Sequence, residues 1–236
     1  MDSAADGRKQ VPFACAMVAA VTGLCVLSGW TTGIDFLKTM GQPVAMNPVV
    51  AASMIAMAAA VWSCNVGSRP IFGTVRLLAG GLVAAAGAWR IIGYFSGLPL
   101  IDRLLFGREL QGNIIAPNTA ICLTLLGSAV LTIDFHFRGG RSPAAVLASA
   151  AGLIALIALL GYALTILSLY RVGQHTAMAV NTAVAVLALS TGILWARASE
   201  GLVAGVVRRW NVERTMLAAF VATLFMLCLI GFVAYR

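Results

Sequence analysis

Seven runs of about twenty predominantly apolar residues fill the sequence, near 11–31, 45–64, 76–97, 114–134, 144–168, 176–197 and 214–235. A helix rising 1.5 Å per residue needs about twenty such residues to cross the hydrocarbon of a bilayer. Transmembrane strands require shorter alternating segments of about ten residues, a pattern absent here. The expected fold is therefore all-α, a polytopic membrane protein with seven transmembrane helices. Composition agrees: 61% of residues are hydrophobic and 10% charged, against about 25% charged in soluble domains. No stretch is left over for an independent soluble catalytic or nucleic-acid-binding domain, and the net charge of +8 is scattered among the loops. The bilayer, rather than nucleic acid, is the expected partner.

Breaks between runs fall at Gly41-Gln42-Pro43, Ser68-Arg69-Pro70, Gly97 to Pro99, Gly139 to Pro143 and Gly173-Gln174, residues that end helices and start turns. One side of the membrane collects Arg8, Lys9, Arg69, Arg76, Arg138, Arg141, Arg197, Arg208, Arg209 and Arg214, and the other Lys38, Arg103, Arg108, Arg171 and Arg236. Basic loops are retained in the cytoplasm. This predicts a cytoplasmic tail over 1–10, a six-helix bundle over 11–198, an interfacial amphipathic connector over 199–213, and a seventh helix over 214–236 leading outside. Cys15, Cys25, Cys64, Cys122 and Cys228 lie in or beside apolar runs without C-x-x-C spacing and read as packing residues.

Internal similarity is the most informative pattern. Met46 to Ala51, Ile115 to Ala120 and Met178 to Ala183 align, with Pro48 in register with Pro117 and the Asn-Thr-Ala of 118–120 repeated at 181–183. Gly41-Gln42 before Met46 recurs as Gly173-Gln174 before Met178, and Gly33 to Leu37 resembles Leu100 to Leu104. The spacing predicts three copies of one helical hairpin in a pseudo-threefold bundle, with equivalent outer loops and the seventh helix outside the pattern. Proline, asparagine and threonine at these starts suit helix capping. The alternative is convergence of three partly positive helix starts on one outward pocket for a carbonyl, hydroxyl or anionic headgroup.

Arg90 is the one charge well inside a run. Such a residue faces the bundle interior or snorkels to the headgroups, and both remain open. With Trp89 and Tyr94 it is expected to form an aromatic, cationic wall, with Asp35 or Asp102 as pairing partner. Asn118, Asn181 and His175 complete the candidate ligand-binding set. His175 with Met40, Met46 and Met178 is a weak soft-metal pattern, and no metal site is expected because methionines in membrane helices are usually packing. No catalytic grouping or cofactor motif is recognisable, so the cofactor is unknown.

Ala116-Pro117-Asn118-Thr119-Ala120 with Gly127 to Leu131 downstream resembles the N-terminal multi-pass membrane regions of bacterial sensor histidine kinases and diguanylate cyclases, and Leu217 to Arg236 is similar to the helix leading into a CHASE-type periplasmic sensor. The resemblance implies a two-component or related signal-transduction sensor in the bacterial inner membrane, N-terminus cytoplasmic and C-terminus periplasmic. It implies a lipophilic or small ligand near the outer leaflet, homodimerisation through downstream domains, and kinase or cyclase activity only beyond Arg236. A small transporter or channel and a structural, dimerising anchor are the alternatives.

Overall fold

The computed structural model describes residues 2–64, 70–96, 110, 112–135, 142–171 and 176–196. The connector at 199–213, the seventh run at 214–236, Asp102 and His175 lie outside them. Among the described residues the protein is helical and has no strand. The elements are α1 (Asp2–Thr32), α2 (Asp35–Thr39), α3 (Pro48–Ser63), α4 (Pro70–Ser96), α5 (Pro117–Leu131), α6 (Pro143–Ala163), α7 (Leu167–Tyr170) and α8 (Val180–Ala196).

Three helical stretches, Gln10–Thr32, Pro70–Ser96 and Pro143–Ala163, are long and apolar enough to cross a membrane. They give the chain the character of a membrane protein. Large apolar side chains on α4, including Leu77, Leu78, Leu82, Ile92 and Phe95, are exposed, a surface water disfavours and lipid accepts.

The other three apolar helices are shorter, 16, 15 and 17 residues for α3, α5 and α8. Runs beginning at 45, 114 and 176 were expected to be helical throughout; instead helix starts at Pro48, Pro117 and Val180. Proline biases the residue before it away from helical geometry, and Asn47 and Ala116 are accordingly extended. Boundaries elsewhere shift too. The predicted tail is helical from Asp2, α4 begins at Pro70, and the run expected to reach 168 stops at Ala163. There Thr165 takes a left-handed φ of 56°, while the Ile166 N–H reaches the Gly161 carbonyl and the Thr165 N–H the Tyr162 carbonyl. That pair of bonds is a Schellman stop.

Each long helix packs along the shorter one that follows it: α1 on α3, α4 on α5, α6 on α8. Neighbouring pairs then meet through α3 with α4, α5 with α6, and α8 with α1, so the contacts close a cycle, while α3, α5 and α8 also touch one another. The shorter helices hold much of the core, with Met54, Met57, Leu123, Leu126 and Leu189 fully buried. Glycine makes the tightest of these approaches possible. A Cβ on Gly127 would lie 2.5 Å from the Ala84 nitrogen, and one on Gly87 2.6 Å from the Ala120 carbonyl oxygen. Within the dense small residues of 79–87, Gly80 and Gly87 are thus used for close helix contact.

Candidate functional site

The three shorter helices begin at the same end of the bundle, each preceded by buried, non-helical backbone. Met46 and Asn47, Ile115 and Ala116, and Ala177 to Ala179 are all under a tenth exposed. Backbone carbonyls in such a place need partners, because no solvent supplies them. The preceding helix provides them. The Trp30 indole N–H donates to the Met46 carbonyl at 2.9 Å. The Tyr162 hydroxyl donates to the Met178 carbonyl at 2.7 Å. At Ile115 the carbonyl accepts from both Arg90 Nε, at 3.0 Å, and the Tyr94 hydroxyl.

Each aromatic donor is itself covered. Lys38 Nζ lies 4.9 Å from the Trp30 ring centre, Arg90 lies 4.1 Å from that of Tyr94, and the Tyr170 ring stacks on Tyr162 at 4.0 Å. A glycine precedes each donor: Gly29, Gly93 and Gly161. At two of these sites its role is visible, since a Cβ on Gly29 would meet Leu37 Cβ at 2.8 Å and one on Gly161 would meet Leu169 Cβ at 2.7 Å. The missing side chain lets α2 and α7 fold back against the helix before them. The repeated Gly-aromatic dipeptide was the signal by which Trp30 and Tyr162 were discoverable in the sequence, and they were not anticipated.

Asparagines tie the three helix starts together. Asn47 Oδ1 accepts the Val49 N–H at 2.9 Å while its Nδ2 donates to the Asn113 carbonyl at 3.3 Å. Asn118 Oδ1 accepts the Thr119 N–H at 3.0 Å while its Nδ2 donates to the Tyr170 carbonyl at 3.1 Å. Asn181 Oδ1 accepts the Thr182 N–H at 3.1 Å while its Nδ2 donates to the Lys38 carbonyl at 2.8 Å. Each amide therefore satisfies one of its own helix's orphan N–H groups and bonds to the next hairpin. The first hairpin bonds to the second, the second to the third, and the third to the first. Asn113 adds a return bond, donating to the Ala45 carbonyl at 2.9 Å. The carbonyls of Lys38 and Tyr170 also accept the N–H groups of Met46 and Met178.

Of the candidate residues, Arg90 and Tyr94 meet, and Arg90 is 1% exposed, so it is buried and does not snorkel. Trp89 is 43% exposed, its side chain turned about 100° around the helix from that of Arg90. The expected Arg90–Asp35 pair does not form. Asp35 sits one turn before Lys38 on α2 and bridges it at 2.9 Å, with its carboxylate 88% exposed.

A shallow depression lies where the helix starts converge, lined by Met46, Asn47, Val50, Ile115, Thr119 and Thr182 among others. It is open on one side and has a volume of about 10 Å³, room for about one water molecule. Val50, Thr119 and Thr182 occupy the same position in the first turns of α3, α5 and α8. Among the described residues no three His, Cys, Asp or Glu side chains gather as a metal site.

Compared with known proteins, the chain matches no family model, no curated protein and no solved structure.

Proposed function

We propose that the chain is the membrane-embedded sensory module of a signalling protein. On this reading it is built from three copies of one hairpin in a pseudo-threefold bundle, with a seventh helix following. The polar helix starts face outward, the N-terminus is cytoplasmic, and the state of a small or lipophilic ligand at the outer leaflet passes to domains beyond this bundle. The observation that carries the reading is the closed cycle of asparagine amides, each reaching from its own helix start to a carbonyl of the next hairpin. A cycle of this kind is a polar latch over an apolar interior, so an outer ligand that competes for any one amide or carbonyl biases the packing of all three hairpins. A ligand shifts such an equilibrium only by its differential affinity for the two packings.

The anchor reading draws support from the same apolar interior, where Met54, Met57, Leu123, Leu126 and Leu189 are fully buried. That apolar centre supports sensing or anchoring over transport along the bundle axis. The two separate experimentally at Cys122, which is buried with its Sγ against the Ala151 carbonyl across the α5–α6 contact. Cys122 is kept as the single cysteine in the full chain, and its maleimide labelling rate is compared in phosphatidylcholine and phosphatidylglycerol vesicles. A sensor gives rates that differ severalfold between the lipids, and Asn118→Ala raises the rate about tenfold, equivalent to about 1.4 kcal/mol. Equal slow rates in both lipids and in the variant would leave a rigid anchor.

A further inference from the structure

We infer that the depression among the starts of α3, α5 and α8 is a binding site for one small anionic acceptor, either a halide-sized ion or a single carboxylate oxygen of an acyl chain. The inference deepens the sensing reading by naming the chemistry its outer site takes. Three helices of at least 15 residues direct their N-termini to this place, and each N-terminus has the character of roughly half a positive charge. A second observation is independent of the dipoles. Thr119 and Thr182 line the depression, are 3% and 2% exposed, and their hydroxyls make no hydrogen bond among the described residues. Both hydroxyls open onto the depression instead of being sealed inside the protein, so they are placed to donate to an acceptor that enters it.

Several of the carbonyls around the depression are engaged elsewhere. The Ala45 carbonyl is taken by Asn113, that of Met46 by Trp30, that of Asn113 by Asn47, and that of Ile115 by Arg90 and Tyr94. No carboxylate is among the described lining residues. Three partly positive helix starts and two hydroxyl donors face this place, which favours an anion over a cation. The space of about 10 Å³ admits one atom of water size, so the source is either a free monatomic anion or the tip of a larger molecule.

The test uses the full chain in phosphatidylcholine nanodiscs in sodium gluconate, with sodium bromide titrated at constant ionic strength. A parallel arm adds laurate, with dodecanol as the neutral control. A saturable rise in Tm of a few degrees is expected with bromide, with laurate, or with both, and it is lost in Thr119→Val/Thr182→Val. Bromide alone identifies a free ion, whereas laurate alone identifies a headgroup. No saturable shift from either, a shift matched by dodecanol, or one that persists undiminished in the double variant overturns the site. Should the double variant fail to fold, Val50→Thr serves instead. It adds a hydroxyl at the third equivalent position and is expected to lower the half-saturating anion concentration at least threefold, and no change overturns the proposal. Tm reports binding alone and Cys122 labelling reports the relay, so either idea can fall while the other stands.

Discussion

Arg90 is held inside α4 by a backbone carbonyl and a phenol oxygen. A buried guanidinium is costly unless its donors are used, and here its planar fork meets two acceptors while its face lies on the Tyr94 ring. Because Arg90 and Tyr94 share the Ile115 carbonyl, their substitutions will not add. A double-mutant cycle of Arg90→Met and Tyr94→Phe, read by denaturant unfolding in detergent, is expected to give a coupling energy of about 0.5–3 kcal/mol. A coupling near zero would mean that the two side chains act independently at that carbonyl. The sequence marked Arg90 as exceptional because it is a lone charge in an apolar run. It could not show that the partner is a main-chain oxygen, since every residue has one and only the fold decides which stays unpaired.

At the scale of elements, close approach concentrates at particular glycines. Replacing Gly87 or Gly127 by leucine forces α4 and α5 apart, since even a Cβ at either position would fall within 2.6 Å of backbone atoms on the other helix. Each is expected to destabilise the protein by about 1–3 kcal/mol, measured as a fall in Tm. Gly81, one residue from Gly80 in the same stretch, has nothing within 4 Å of its would-be Cβ. Gly81→Ala is therefore expected to stabilise by about 0.5–1 kcal/mol through helix propensity. A tie between the Gly81 and Gly87 variants would show that the stretch acts by composition instead of contact. The sequence displayed this run of small residues plainly, yet its two-sided distribution around α4 left the contacting face undetermined. The shorter helices teach a related lesson. Hydropathy extended them to 45, 114 and 176, because residues such as Ala45, Ile114 and Ala177 are as apolar as those of the helix, while Pro48 and Pro117 alone signalled where extended backbone gives way.

For the whole molecule, the consequence of the asparagine cycle is cooperativity. Single changes of Asn47, Asn118 or Asn181 to alanine each remove one interhelical bond, worth about 0.6 kcal/mol on average and up to about 1.7 between helices in membranes. If the cycle acts as a unit, opening it once loosens the rest. The triple variant then loses less than the sum of the three single losses, by about 0.5 kcal/mol or more in denaturant unfolding. Strict additivity would indicate three unrelated caps.

Taken alone, the amino-acid order determined the class of molecule and located its polar helix starts. Apolar runs of span length with few charges have no favourable solution in water, and the three-way alignment at Met46, Ile115 and Met178 identified the segments that lie beside one depression. It also marked Asn118 and Asn181 as paired positions. Only the tertiary structure decided what these residues do. The asparagines reach the carbonyls of Tyr170 and Lys38, Trp30 and Tyr162 close the buried carbonyls of Met46 and Met178, and Asp35 turns to Lys38 instead of Arg90. The physical reason is that side-chain type is written along the chain, whereas an unpaired backbone oxygen and the donor that finds it are defined only once separate segments have come within hydrogen-bonding distance.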